Sequence, residues 1–248
     1  MGRYDEAETF CNRLLKEMPQ NHEDIPKCYY TLGHLTFLKS NYDLSLNWFQ
    51  KLLNILKSDD PILADTYYSI GCAYQNMYYY NEALQYYHQA LVIWEETHDN
   101  NEPLQMAACL NNMGCIYEIE KFYSKALACH QQALSVRDKF QTDLGSSYNN
   151  IGNIYLCLGE YNAAIENYDY AYKIKSQSHS SQDPSLATTL KNMALAYEED
   201  GNFIEALQYY KKAALAFASI FSTTHTYYLE IQEDIQRIAS LMESKTIK

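Results

Sequence analysis

Basic residues are scarce in this chain of 248 residues: 19 Lys and Arg stand against 31 Asp and Glu, a formal net charge of −12. A surface that tracks phosphates needs a basic stripe, so the composition speaks against a nucleic-acid partner. Long apolar runs are missing too. None approaches the roughly 18 residues of a membrane span, and the opening MGRYDEAETF lacks the basic-then-apolar pattern of a secretory signal. The 7 cysteines are an odd number, and no CxxC pair occurs among them. They read as small buried hydrophobes in a reducing compartment, which points to the cytoplasm, and no clustered ligand set suggests a metal or a cofactor. Catalytic motifs are absent: there is no GxGxxG, P-loop, HExxH or GxSxG, and the 7 histidines are dispersed. The expectation is a protein that is not an enzyme.

What is present is tyrosine, 25 residues of it, in a chain that is 47% hydrophobic. The segments YTLGHL, YSIGCAY, NNMGCIY, NNIGNIY and KNMALAY align on Gly33, Gly71, Gly114, Gly152 and Ala194, at spacings of 38, 43, 38 and 42 residues. With that small residue numbered 8, an aromatic follows at position 11 in four copies (Tyr74, Tyr117, Tyr155, Tyr197) and at position 17 in all five (Tyr42, Tyr80, Tyr123, Tyr161, Phe203). Alanine recurs at position 20 (Ala83, Ala126, Ala164, Ala206) and at position 27 (Ala90, Ala133, Ala171, Ala213). Position 24 holds Phe49, Tyr87, His130, Tyr168 and Tyr210. These intervals place the apolar residues on one face of each of two consecutive helices, neither of which can bury that face alone. Small residues at 8 and 20 let the two backbones approach. Gly2, Gly159 and Gly201 fall at position 15, the expected turn within each pair, and all 5 prolines fall between copies.

Five copies in register at six positions resemble the tetratricopeptide repeat. That resemblance implies an all-α fold, a TPR alpha-solenoid in which antiparallel helix pairs form a right-handed superhelix with first helices lining a concave groove. On this reading residues 1–19 hold the second helix of an incomplete repeat. Residues 26–222 hold five repeats, at about 26–59, 62–98, 103–140, 142–177 and 184–221. Residues 225–243 form a C-terminal capping helix, because the sixth copy of position 8 is Gln236, which forbids close approach. The segments PLQMAACLNNMGCIYE and DPSLATTLKNMALAYEEDGNFIEALQYYKKAA are further similar to the repeats of kinesin light chains, which implies a cargo-adaptor role. The opening GRYDEAETFCNRLLKE resembles the start of tetratricopeptide tails in large rotifer proteins, some with an ADP-ribosyltransferase domain upstream, which implies a fragment of a larger enzyme.

The resemblance also names the groove-facing positions. They carry Tyr68 and Gln75 in the second repeat, Asn111, Asn112 and Glu118 in the third, Asn149, Asn150 and Asn153 in the fourth, and Lys191 and Asn192 in the fifth. Asn112, Asn150 and Asn192 share position 6, and Asn111 and Asn149 share position 5. Asparagine is a mediocre helix-interior residue. A side-chain amide offers both a donor and an acceptor, so a row of them can pair with an extended peptide backbone. The expected function is therefore a scaffold that binds a protein or peptide partner in the groove. Its few basic residues, Lys27 and Lys191 against Asp65, Glu118, Glu198 and Glu199, offer little to an acidic ligand. The carboxylate clamp of chaperone-binding repeats is not assembled: Asn153 has Asn149 where the clamp needs lysine, and Lys191 has Leu195 where it needs asparagine. An exposed face on the first helix would support end-to-end self-association.

Overall fold

A computed structural model describes residues 2–19, 22–97, 103–140, 142–177, 183–220 and 225–246. Among them are twelve α-helices and no strand. In chain order they are α1 (Gly2–Glu17), α2 (Ile25–Leu38), α3 (Tyr42–Leu53), α4 (Ile62–Asn76), α5 (Tyr80–Thr97), α6 (Pro103–Ile119), α7 (Tyr123–Phe140), α8 (Leu144–Cys157), α9 (Tyr161–Gln177), α10 (Pro184–Glu199), α11 (Phe203–Ile220) and α12 (Thr226–Thr246). They fall into two compact units, Met1–Ile116 and Tyr117–Lys248. In the first, α1 packs on α2, α2 on α3, α3 on α4 and α4 on α5. In the second, each helix from α7 to α12 packs on the next.

Local chemistry sets the helix starts. Asp183 caps α10 by accepting the backbone N–H of Ser185 at 2.9 Å, and Pro184 occupies the first turn, where its missing N–H costs nothing. Asn41 does the same for α3 through the N–H of Leu44. The turn inside each pair is a single left-handed residue. Gly159 and Gly201 have φ of 75° and 81°, and Ser40, Tyr78 and Lys121 take the same turn at 58°, 64° and 62°. All five lie seven residues beyond the small residue at position 8. The turn is thus imposed by the pair even where the side chain disfavours it. Gly2, read from sequence as a turn residue, instead forms the first residue of α1. A glycine is compatible with the helical conformation as well.

The alanines at positions 20 and 27 are sealed: Ala83, Ala90, Ala126, Ala133, Ala164, Ala171, Ala206 and Ala213 have no exposed surface. Tyrosines on the neighbouring face stack in pairs, Tyr74 on Tyr86 with ring centroids 5.5 Å apart and Tyr197 on Tyr209 at 5.3 Å. At the C-terminal end α12 buries Ile231 and Ile238 completely, in a cluster with Ala213, Ala214 and Phe217 of α11 and Leu190 of α10. Those isoleucines occupy the register that Thr189 and Ala196 hold in α10, while Gln236 is exposed. The helix therefore keeps the face that packs on the preceding repeat and has lost the one that would hold a partner of its own. At α1, Tyr4 and Phe10 remain exposed.

The left-handed turns give a direct test. Lys121→Gly should stabilise the fold by about 0.5–1 kcal/mol, and Gly201→Ala should destabilise it by about 1 kcal/mol. Thermal melting of the two variants checks both signs.

Candidate functional site

The site begins from the glycines. A Cβ added at Gly71 would lie 2.6 Å from the Tyr87 ring, and one at Gly152 would lie 2.6 Å from the Tyr168 ring. At Gly33 the intruder is the Phe49 ring, at 2.5 Å. The missing side chain at position 8 is thus filled chiefly by the position-24 aromatic, rather than by the backbone at position 20. Tyr87 and Tyr168 have no exposed surface, yet their rings cross the first helix and bring their hydroxyls out toward its groove-side residues.

In the first unit the Tyr87 hydroxyl donates to Oε1 of Gln75 at 2.5 Å, with Sγ of Cys72 at 3.5 Å. Asn112 of α6 arrives from the next repeat. Its Nδ2 faces the hydroxyls of Tyr87 at 3.3 Å and Tyr68 at 3.4 Å, with Cys72 Sγ at 3.7 Å. One repeat earlier, Ser69 meets Nε2 of His34 at 3.2 Å. Asn111 turns its amide to Cys115 Sγ at 3.9 Å. Burial raises the Tyr68 and Tyr87 phenols and the Cys72 thiol above their ordinary pKa values, so all three stay protonated at neutral pH.

The second unit repeats the device. The Tyr168 hydroxyl donates to Oδ1 of Asn153 at 2.9 Å, and Nδ2 of Asn192 donates to the same oxygen at 3.0 Å. Asn149 accepts from Thr189 Oγ1 at 3.1 Å. In the last repeat the Tyr210 hydroxyl donates to Oε2 of Glu198 at 2.9 Å, and Arg237 of α12 grips both oxygens of that carboxylate. Lys191 pairs with Glu230 of α12 at 3.1 Å. Beside these, Lys175 is buried and donates to Thr189 Oγ1 at 3.0 Å, and burial lowers its pKa. Gly145 makes room for it: a Cβ there would lie 2.9 Å from Lys175 Cγ.

All ten residues expected in the groove are half-buried. The structure gathers Tyr68, Gln75 and Asn112 around Tyr87, and Asn153 and Asn192 around Tyr168. Asn150 is half-buried on the same helix as Asn149 and Asn153. Glu118 stands apart: among the described residues its carboxylate makes no hydrogen bond or ion pair, and burial raises its pKa. Sequence reasoning left the position-6 asparagines without an intramolecular task, whereas Asn112 and Asn192 each tie one repeat to the previous one. It also missed Tyr87, Tyr168 and Tyr210 as polar groups. The available signal was tyrosine rather than phenylalanine at position 24 opposite Gln75, Asn153 or Glu198. Among the described residues no group of His, Cys, Asp or Glu could hold a metal ion, and no helix is long and apolar enough to cross a membrane.

His130 breaks the tyrosine series. It is fully buried, and neither ring nitrogen has a hydrogen-bond partner among the described residues. Burial, with a smaller effect of Arg137, lowers its pKa to about 4. The unfolded chain takes up that proton near pH 6.5, so the folded state gains nothing from His130 above that pH and loses stability as pH falls from about 6.5 to about 4. The full loss is on the order of 3 kcal/mol. His130→Phe should remove this component, so that the stability difference between variant and parent, measured by urea unfolding, widens over that pH window and is flat above it.

No curated protein matches the chain by sequence. Similar solved structures include BtubC (BKLC) from P. vanneervenii, 21% identical over 88% of this chain and 89% of that one, with a TM-score of 0.73. The apo form of RapI is 19% identical over 90% of this chain and 84% of that one, with a TM-score of 0.75. A Podosopora anserina putative kinesin light chain with TPR-like repeats is 16% identical over 80% of this chain and 98% of that one, with a TM-score of 0.66. At these identities the likeness is one of fold. The tetratricopeptide repeat profile matches residues 63–139 and 143–218, more than half of the sequence. In this chain an aromatic ring lies over the bare backbone at Gly33, Gly71 and Gly152, and the chain belongs to the tetratricopeptide repeat family.

Proposed function

We propose that the chain is a non-catalytic scaffold that holds an extended segment of a protein partner along the first-helix faces of its repeats. One observation carries this reading. The NH2 groups of Asn112 and Asn192 are fixed by bonds to the wall behind them, while their Oδ1 atoms accept none of the described hydrogen bonds. Each half-buried amide is thus held in one orientation with its acceptor free. A peptide backbone supplies the matching N–H donors, and a preorganised acceptor loses little entropy on binding. The kinesin-light-chain-like segments and the fold shared with BtubC and RapI are compatible with an adaptor role of this kind.

A random dodecapeptide library displayed on phage and selected on the full chain provides the test. Selected peptides should lose at least roughly tenfold in affinity with Asn192→Ala or Asn112→Ala, the loss of one hydrogen bond to a fixed group. They should be indifferent to substitution of Glu166, an exposed residue of α9. Each asparagine variant should also melt lower, by about 1 kcal/mol, because a bond between repeats is lost. Affinities are therefore read well below the melting transition. Peptides that bind both asparagine variants as well as the parent would refute the proposal.

A further inference from the structure

The second unit contains two glutamates in the same register, Glu118 of the third repeat and Glu198 of the fifth. They have opposite surroundings. Two donors hold Glu198: the hydroxyl of Tyr210, at position 24 of its own repeat, and the guanidinium of Arg237, which comes from the following helix. Both donors are replaced at Glu118. Position 24 of the third repeat is His130, whose ring nitrogens make no hydrogen bond among the described residues. The register place of Arg237 is taken in the fourth repeat by Asn153, a shorter side chain whose Oδ1 is occupied by Tyr168 and Asn192. Glu118 is consequently a half-buried carboxylate with no cation and no hydrogen-bond donor among the described residues. Its charge is felt by the Cys157 thiol and by the Tyr123 and Tyr168 phenols, all neutral groups whose ionisation it opposes. The chain carries a net charge of −12, so nothing in its overall field compensates.

From this contrast we infer that the bound segment of the partner carries an arginine whose guanidinium pairs with Glu118, as Arg237 pairs with Glu198 within the chain. This rests on the groove reading above and narrows it to a basic peptide. The internal pair defines the geometry the guest would use, a guanidinium laid across both carboxylate oxygens. A planar fork meets that requirement and a lysine ammonium does not. The same acidic surface disfavours an aspartate- or glutamate-rich peptide. Partial burial works in the same direction: the carboxylate has already lost much of its water, so a cation that arrives there restores lost solvation.

The same phage-displayed dodecapeptides test the inference when scored for composition. Selected sequences should share an arginine at a constant place. In fluorescence anisotropy against the full chain, Glu118→Gln and replacement of that arginine by citrulline, its neutral isostere, should each weaken binding roughly tenfold. Combined, they should cost no more than either alone, which marks a direct pair. Glu118→Gln should melt at or above the parent temperature, since the carboxylate has no partner among the described residues. A lower melting temperature would show an intramolecular role and overturn the inference. Peptides that lose affinity with Asn192→Ala but lack a shared arginine, or ignore Glu118→Gln, would overturn the arginine pairing and leave the groove reading standing. A selection yielding no peptide sensitive to either residue would overturn both.

Discussion

A glycine in the middle of a helix is a liability of about 1 kcal/mol relative to alanine, and this chain accepts it repeatedly at one register. The return is a slot just deep enough for an aromatic ring. Phe49 lies in the slot of Gly33, Tyr87 in that of Gly71 and Tyr168 in that of Gly152, each so close that a methyl group would collide with it. A fully buried ring of this size contributes roughly 2–3 kcal/mol through burial alone, which outweighs the backbone penalty. The slot also fixes the distance between the two helices of a pair and hence where every other side chain falls. Fully buried alanines at positions 20 and 27 follow from it, because nothing larger fits once the ring is in place. Even the turns follow: Tyr78 and Lys121 are driven into the left-handed region that glycine would take freely.

The ring does a second thing that phenylalanine could not. Tyrosine is long enough to cross the first helix, so its hydroxyl emerges among the residues expected to face a ligand. There it fixes Gln75 or Asn153, and the asparagine of the next repeat closes onto the same group. Packing and display are therefore coupled. The contact that holds a helix pair together also orients the polar surface between that pair and its neighbour. This coupling accounts for asparagines in helix interiors, where propensity alone disfavours them. Their donors hold the array together, and on the proposed reading their acceptors are left for a partner's backbone.

Much of this was legible in the sequence because the controlling interactions are local and periodic. The intervals of Gly33, Gly71, Gly114, Gly152 and Ala194 gave the helix pairing, and the class of fold followed. Other features were hidden for stated reasons. The left-handed turns at Ser40, Tyr78 and Lys121 carry no glycine, so the signal that marks Gly159 and Gly201 is missing there. Each hydroxyl network joins residues of three helices, some of them 39 and 44 positions apart, and a one-dimensional pattern shows each only as an aromatic or a polar residue. Arg237 sits in a helix whose repeat signature has decayed at Gln236, so its place opposite Glu198 became visible only once Ile231 and Ile238 fixed the helix register.

Differences between copies hold the specificity that a perfect repeat would lack. If every copy carried tyrosine at position 24 and a matching donor in the next helix, each polar group would be satisfied internally and the array would have little chemistry to offer. Around the third repeat that rule fails twice, at His130 and, in the first helix of the fourth repeat, at Asn153. The two departures converge on one carboxylate. His130 is a neutral ring at neutral pH, and it withdraws the hydroxyl that Glu118 would otherwise receive. Asn153 serves Tyr168 and Asn192 instead of reaching back. The last repeat, where α12 supplies Arg237, has the same carboxylate fully engaged. A charge left open in one repeat and closed by an arginine in another is a difference that folding energetics alone would not favour, since a half-buried carboxylate without a partner is a net cost. On the pairing inferred above, an arginine of the partner would supply to Glu118 what Arg237 supplies to Glu198.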